Sequence, residues 1–140
     1  MDLAMLLAVA GLAQTPAPAK LPLPVELPAV ANATADPTCG NRPALAERAT
    51  CVVSTQAGVE GVLQAYEAVF TPQGWLVADA SGNVVIYMKR KPEGGCDAFQ
   101  VLAFADGEMA APAAPAYLAF ATIPRDICQA ADPNAAAPAQ

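Results

Sequence analysis

The chain has 140 residues, a formal net charge of −6 and four cysteines, and it contains no histidine. Its length favours a single domain. The excess of acidic over basic residues argues against a nucleic-acid partner, because phosphates attract clustered lysine and arginine. Without histidine the chain can form neither a Ser-His-Asp nor a Cys-His catalytic centre, and it has no imidazole to bind a metal.

Hydrophobic residues make up 55% of the chain, but alanine accounts for much of that fraction. The larger apolar residues concentrate between Cys51 and Cys128, and they suffice for one modest core. Abundant alanine and proline beside few lysines is typical of proteins encoded by GC-rich bacterial genomes. The composition therefore limits the architecture far more than it limits the function.

Residues 1–13 are typical of a secretory signal peptide. An uncharged apolar run extends from Leu3 to Ala13, which is too short to cross a bilayer of about 30 Å. Small residues at Gly11 and Ala13 fit the cleavage rule. Asp2 stands where a basic residue is usual, and the alternative interpretation is a buried N-terminal helix. We predict a signal peptide, no transmembrane segment in the mature chain, and a periplasmic or secreted location.

Residues 14–38 are predicted to be either a proline-rich linker or an extended segment that covers the domain. Proline at this density opposes helix and favours extended polyproline II backbone. Large apolar residues alternate with proline or glutamate at Leu21, Leu23, Val25 and Leu27. Because a solvated linker has no use for such a row, we predict that Leu21 to Val30 lies along the sheet face away from the helix, in its own chain or in a neighbouring one.

Residues 39–128 are predicted to form a single globular α+β domain. Arg42 to Thr50 is predicted to form one or two helical turns, and Cys51 to Thr55 a short strand or an extended approach to the helix. Apolar residues then recur at helical spacing from Val59 to Phe70, with polar residues on the opposite side, which predicts one amphipathic helix. Residues 129–140 contain no large apolar residue and are predicted to form a disordered tail.

Four strand patterns follow the helix: Trp75 to Ala80, Val84 to Lys91, Cys96 to Ala105, and Ala116 to Ile123. Mostly short connections predict that neighbours pair as an antiparallel meander. The predicted fold class is α+β, with one amphipathic helix packed on a four- to five-stranded antiparallel meander. This element order resembles that of cystatin-like folds, and the resemblance implies the fold alone, because the inhibitory Gln-x-Val-x-Gly loop is absent.

The four cysteines are predicted to form disulfides, as expected of a small exported domain. Three pairings are open, and we favour Cys39–Cys51 with Cys96–Cys128, since each pair flanks a turn or the two ends of adjacent strands. Each bond is expected to contribute about 2–4 kcal/mol. A zinc site is disfavoured because the chain has no Cys-x-x-Cys pair.

No motif predicts catalysis, a cofactor or a metal. No nucleophile has a neighbouring base, and no glycine-rich loop could hold a phosphate. The basic run Lys89-Arg90-Lys91 is too short for a polybasic site, which usually contains about 4–8 charges, and is typical of a solvated strand end. We therefore predict a non-catalytic protein, with a hydrolase using carboxylates assembled by the fold as the alternative.

Both faces of the predicted sheet are apolar, although the single long helix can cover only one of them. The other face needs a cover, which we predict to be Leu21 to Val30, a second copy of the chain or a protein partner. The residues predicted for this contact face are Tyr87, Phe99, Val101 and Tyr117. The predicted function is an exported binding or accessory domain that contacts a partner, or forms a homodimer, through this face.

Overall fold

The computed structural model describes residues 20–107 and 110–128, so the predicted signal peptide at 1–13 and the predicted tail at 129–140 lie outside the described residues. Its elements are β1 (Thr34–Ala35), α1 (Pro43–Ala46), β2 (Thr50–Thr55), α2 (Val59–Phe70), β3 (Leu76–Ser81), β4 (Val84–Arg90), β5 (Cys96–Ala105) and β6 (Pro115–Thr122). The predicted α+β class is confirmed, with six strands in one sheet. Within the described ranges, no helix has the length and apolar character needed to cross a bilayer.

The sheet is antiparallel throughout, in the order β1-β2-β6-β5-β4-β3. The four strands after α2 form the predicted meander. The strand before α2 pairs with the last strand of the chain, so that Thr50 lies opposite Phe120 and Thr55 opposite Pro115. This pairing places β6 inside the sheet and leaves β3 as one of its two outermost strands.

Helix α2 covers one face of the sheet, which we call the inner face. Its buried residues, Val62, Tyr66 and Phe70, follow the predicted helical spacing. No side chain caps its first turn; the helix starts after Gly58, whose N–H donates to Thr55 Oγ1 at 3.0 Å. The helix gives way to a 3₁₀ turn at Thr71–Gln73, after which the chain enters β3.

Aromatic rings fill the space between α2 and the sheet. The ring of Phe99 is fully buried, and its centroid lies 5.3 Å from that of Phe70, 4.8 Å from that of Trp75 and 5.1 Å from that of Tyr87. Such close pairs add attraction beyond the burial of their surface. The tryptophan therefore packs at the junction of helix and sheet.

The segment that precedes β1 also lies on the inner face, which corrects the prediction for Leu21 to Val30. Val25 is 8% exposed and belongs to the same buried cluster as Val62 and Tyr66. Leu23, Leu27 and Val30 pack against that cluster, and Thr122 Oγ1 donates a hydrogen bond to the carbonyl of Pro22 at 2.6 Å. The segment packs against the domain as a cover, but it lies beside the helix and not opposite it.

The opposite face, which we call the outer face, is covered over only part of its area. A second buried cluster, which we call the outer cluster, forms there from Cys39, Ala49, Cys51 and Ala119. Leu45 and Ala46 pack against it from α1. Leu102 and Phe104 pack against it from β5. The loop between β1 and β2 therefore covers the outer face over β2, β6 and part of β5.

Candidate functional site

The predicted contact residues do not share a face. Tyr87, Phe99 and Val101 are 2%, 0% and 2% exposed and pack under α2, so they cannot contact a partner. Tyr117 points to the outer face, because it pairs with Phe104 in β5, but it is only 7% exposed. Strict alternation shows which residues of one strand lie together, but it leaves open which set faces the helix.

Tyr117 is covered by the loop between β1 and β2. Its ring stacks on Phe104 at a centroid distance of 5.0 Å, and the Arg42 guanidinium lies over the Phe104 ring at 4.3 Å from its centroid. A side-chain carbon at Gly40 would come within 3.0 Å of the Tyr117 ring, so the loop can lie this close only with glycine there. The phenol donates to Asp106 Oδ2 at 3.1 Å. Burial, followed by the Asp106 carboxylate, raises the pKa of Tyr117.

The part of the outer face that belongs to β3 and β4 lies outside the buried cluster beneath the β1–β2 loop. Leu76 pairs with Met88, and Val84 and Ile86 lie on the same side of β4 as Met88. Leu76 is 55% exposed, and the other three are partly buried without belonging to either buried cluster of the described residues. We call Leu76, Val84, Ile86 and Met88 the outer patch.

Charged and polar residues surround the outer patch. Arg90 follows Met88 on the same side of β4, and Asp79 lies opposite Ile86 on β3. Both side chains are exposed. The patch is thus an apolar strip with a cation at one end and a carboxylate at its outer edge, an arrangement that suits a protein contact better than a small-molecule pocket.

Both favoured disulfides, Cys39–Cys51 and Cys96–Cys128, are present. The first lies inside the outer cluster. The second lies at the Met88 end of the outer patch, where the sulfur atoms of Cys128 and Met88 are 3.3 Å apart. Each disulfide therefore joins a covering segment to the outer side of the sheet.

Asp126 connects the two ends of the second disulfide. Its Oδ1 accepts the backbone N–H of Cys96 at 3.1 Å and that of Cys128 at 3.0 Å. A side-chain carbon at Gly95, whose φ is +74°, would overlap Asp126 Oδ2, so glycine is needed for the carboxylate to reach this position. Cys96, Asp126 and Cys128 are close enough together to bind a metal ion, but both sulfurs are in the disulfide and cannot act as thiolate ligands.

A small cavity of about 130 Å³ lies beside this disulfide. Its lining includes the acidic residues Asp97 and Asp126 and the cationic residues Lys91 and Arg125. Asp126 already accepts two hydrogen bonds that hold the backbone. Two carboxylates thus line the cavity, and one of them, that of Asp126, holds the backbone on both sides of the disulfide.

A second concavity, a groove of about 540 Å³, lies beside the first turn of α2. Its lining is mostly small and polar, and consists of Asn32, Thr34, Val53, Ser54, Thr55, Ala57 and Gly58. Nothing in this lining provides a nucleophile with a base or a charged group.

One partly buried polar pair joins the sheet to α2. The Tyr87 hydroxyl donates to Glu67 Oε1 at 2.7 Å. Burial raises the pKa of Tyr87, and the hydrogen bond to Glu67 raises it further. The phenol therefore remains protonated and acts as a donor that ties β4 to α2.

Sequence reasoning missed the cover provided by α1. Leu45, Ala46 and Ala49 recur at helical spacing, which in retrospect indicates a small apolar side between two cysteines. It also missed the outer patch as a unit, because the patch includes a residue of β3, whose register depends on an irregularity between Val77 and Asp79.

No protein-family model, no curated protein and no solved structure matches this chain.

Proposed function

We propose that this protein is a small exported, non-catalytic binding domain that contacts a protein partner through the outer patch. The observation that carries the proposal is the uneven cover of the outer face: a disulfide-bonded loop covers β2 and β6, whereas the apolar strip on β3 and β4 has solvent access. An apolar strip with a polar rim is the usual composition of a protein contact.

The charges around the strip indicate what the partner presents. Arg90 stands beyond Met88, and Asp79 stands at the edge beside Ile86. A matching surface has an apolar strip, with a carboxylate facing Arg90 and a cation facing Asp79. Such complementarity contributes mainly to orientation and specificity, and the apolar residues supply the affinity.

Export is supported by the two disulfides, which persist in oxidising compartments. A periplasmic or secreted location fits them equally well. Mass spectrometry of the protein from its own host tests this part: a mature chain without residues 1–13 and without free thiols is expected. An intact Met1 together with four free thiols would refute export.

The contact surface can be tested by site-specific photo-crosslinking in the native host. A photoreactive amino acid replaces Ile86 in one variant and Gln64, an exposed residue of α2, in the control. We expect a defined protein adduct from position 86 that is lost when Leu76→Asp is added, and no such adduct from position 64. An adduct of twice the chain mass would identify the partner as a second copy.

Equal adducts from both positions, or none from position 86, would refute the outer patch as the contact surface. The carboxylate-based hydrolase is the alternative, and the cavity that contains Asp97 and Asp126 is the observation in its favour. Hydrolysis of a glycoside or ester that is abolished by Asp97→Asn, and retained by the exposed control Asp79→Asn, would favour that alternative over a binding domain.

A further inference from the structure

We infer that the Cys96–Cys128 disulfide is a reducible clasp that controls access to the Met88 end of the outer patch. This inference rests on the proposed function, because it describes how the same contact surface is regulated. The reductant is a dithiol, supplied either as a small molecule or as the Cys pair of a redox protein. Three features of the described residues carry the argument.

The two disulfides differ in burial. Cys39 and Cys51 are 0% and 2% exposed, and their bond lies inside the outer cluster beneath α1. Cys96 is also buried, at 4% exposure, but Cys128 is partly exposed. Thiol–disulfide exchange requires a thiolate to reach a sulfur atom in line with the bond, so access decides which disulfide reacts first.

The second feature is what the exposed disulfide covers. The Cys128 sulfur contacts the Met88 sulfur at 3.3 Å, and Met88 is one end of the outer patch. Cys96 lies opposite Arg90, the cation beyond that end. Cys128 therefore lies at the end of the apolar strip next to its cation, which is where a partner's carboxylate would bind.

The third feature is how little else attaches this segment. Strand β6 ends at Thr122. The last described hydrogen bond to the sheet runs from the Ile123 N–H to the carbonyl of Ala98 at 3.0 Å. None of the residues 124–128 belongs to either buried cluster of the described chain. The main described attachment besides the disulfide is the hydrogen bond from the Cys96 N–H to Asp126. Opening the bond would therefore release the segment and leave the sheet folded.

The exchange proceeds in two balanced steps. A thiolate of the dithiol attacks Cys128 Sγ, a mixed disulfide forms, and Cys96 Sγ leaves as a thiolate that takes up a proton. The second thiolate of the dithiol then attacks the other dithiol sulfur, which is bonded to Cys128 in the mixed disulfide. Cys128 Sγ leaves as a thiolate and is protonated. Two electrons pass to the protein, and the dithiol becomes a cyclic or intramolecular disulfide.

The experiment uses the full chain and increasing concentrations of dithiothreitol, followed by alkylation and mass spectrometry of each cysteine. We expect Cys96 and Cys128 to become alkylated at a reductant concentration about tenfold lower than Cys39 and Cys51. In parallel, oxidation of Met88 by peroxide should accelerate severalfold once the clasp is open, because its sulfur gains solvent. The circular dichroism of the chain should stay unchanged over the same range.

Matched variants separate the clasp from general loosening of the chain. Cys96→Ser with Cys128→Ser should show the fast Met88 oxidation without any reductant, whereas Cys39→Ser with Cys51→Ser should keep it slow. Simultaneous alkylation of both pairs, earlier alkylation of Cys39 and Cys51, or unchanged Met88 oxidation in the first variant would overturn the inference. These readouts need no partner, so a missing adduct at position 86 would refute the proposed function alone.

Discussion

The two faces of the sheet are stabilised by different means. The inner face is filled with large side chains, and the rings of Tyr66, Phe70, Phe99 and Phe120 are essentially excluded from solvent. The outer cluster consists largely of small residues, among them Ala49 and Ala119, together with the Cys39–Cys51 disulfide. Burial of apolar area stabilises the first, whereas a covalent bond compensates for the smaller burial in the second.

This difference explains why a chain so rich in alanine can fold as one domain. Alanine contributes little buried area, so the aromatic residues are concentrated on one face, where helix and N-terminal segment can enclose them. The outer face is then closed by covalent attachment of its covers, and the part without a full cover becomes available for contact. The following predictions test this division.

The largest effect is expected from a cavity in the inner core. Phe99→Ala removes a ring that contacts Phe70, Trp75 and Tyr87, and should lower the free energy of unfolding by about 3–5 kcal/mol. Urea denaturation measures this loss in the free energy of unfolding. Leu76→Ala, on the outer patch, is the control and should stay within about 0.5 kcal/mol. Similar losses for the two variants would contradict the assignment of the faces.

Loss of the buried disulfide should have the next largest effect. Cys39→Ser with Cys51→Ser frees the cover of the outer cluster and should cost about 2–4 kcal/mol. The matched pair Cys96→Ser with Cys128→Ser should cost less, because the segment it attaches belongs to neither buried cluster. Thermal unfolding of the three proteins, compared at equal pH, gives the order. The reverse order would show that the outer cluster is not held by its disulfide.

The N-terminal segment offers a smaller test. Val25→Ala removes methyl groups from the inner core and should destabilise the protein by about 1–2 kcal/mol. Leu21→Ala lies in the same segment but at a residue that is 49% exposed, and it should have almost no effect. If both substitutions are neutral in urea denaturation, the segment is a linker after all.

The smallest effect is expected from pH. Burial, and then the bond to Glu67, raises the pKa of Tyr87 above its ordinary value of 10.0. Below pH 10 the phenol is protonated in the folded and unfolded chains, and its contribution to stability is complete. Above pH 10 the unfolded chain loses the proton first, so stability falls as the pH rises.

Tyr87→Phe removes this titration and should flatten the alkaline decline, at a cost of about 1 kcal/mol near neutral pH for the lost hydrogen bond. Denaturation midpoints between pH 8 and 11 would measure both effects. The burial of Tyr66 also raises its pKa in the same direction, so some decline should remain in the variant. An alkaline decline identical to that of the parent would show that Tyr87 does not contribute.

The sequence predicted the elements well and their placement less well. Helix α2 and strand β5 have the predicted bounds, because periodicity and the residues that end each element are local signals. Both disulfides were favoured from their positions at turns and strand ends. These features depend on residues near one another in the sequence or on adjacent strands.

The faces could not be predicted in the same way. Tyr87 and Phe99 alternate with Met88 and Ala98, and either set could have met the helix. The choice depends on the pairing of β2 with β6 and on the loop that follows β1, which are long-range contacts. Val25 was recognised as a residue that needs burial, yet the face on which it is buried depends on which side of the sheet the helix covers. For that reason Tyr87, Phe99 and Val101 were predicted on the face away from the helix, whereas the structure places them beneath α2.

The pairing of β2 with β6 also has a consequence for the order of folding. Paired residues of the two strands are between 60 positions (Thr55 and Pro115) and 70 positions (Thr50 and Phe120) apart in the chain, so this pairing is slow compared with forming the meander, whose hairpins are local. During synthesis from the N-terminus, β2 must wait for β6, which ends only a few residues before Cys128. Until then, β2 lacks the pairing strand that places Ala119 opposite Cys51 and Leu118 opposite Val52. A chaperone that binds open strand edges would therefore meet this chain with β2 paired to β1 but open on its β6 side.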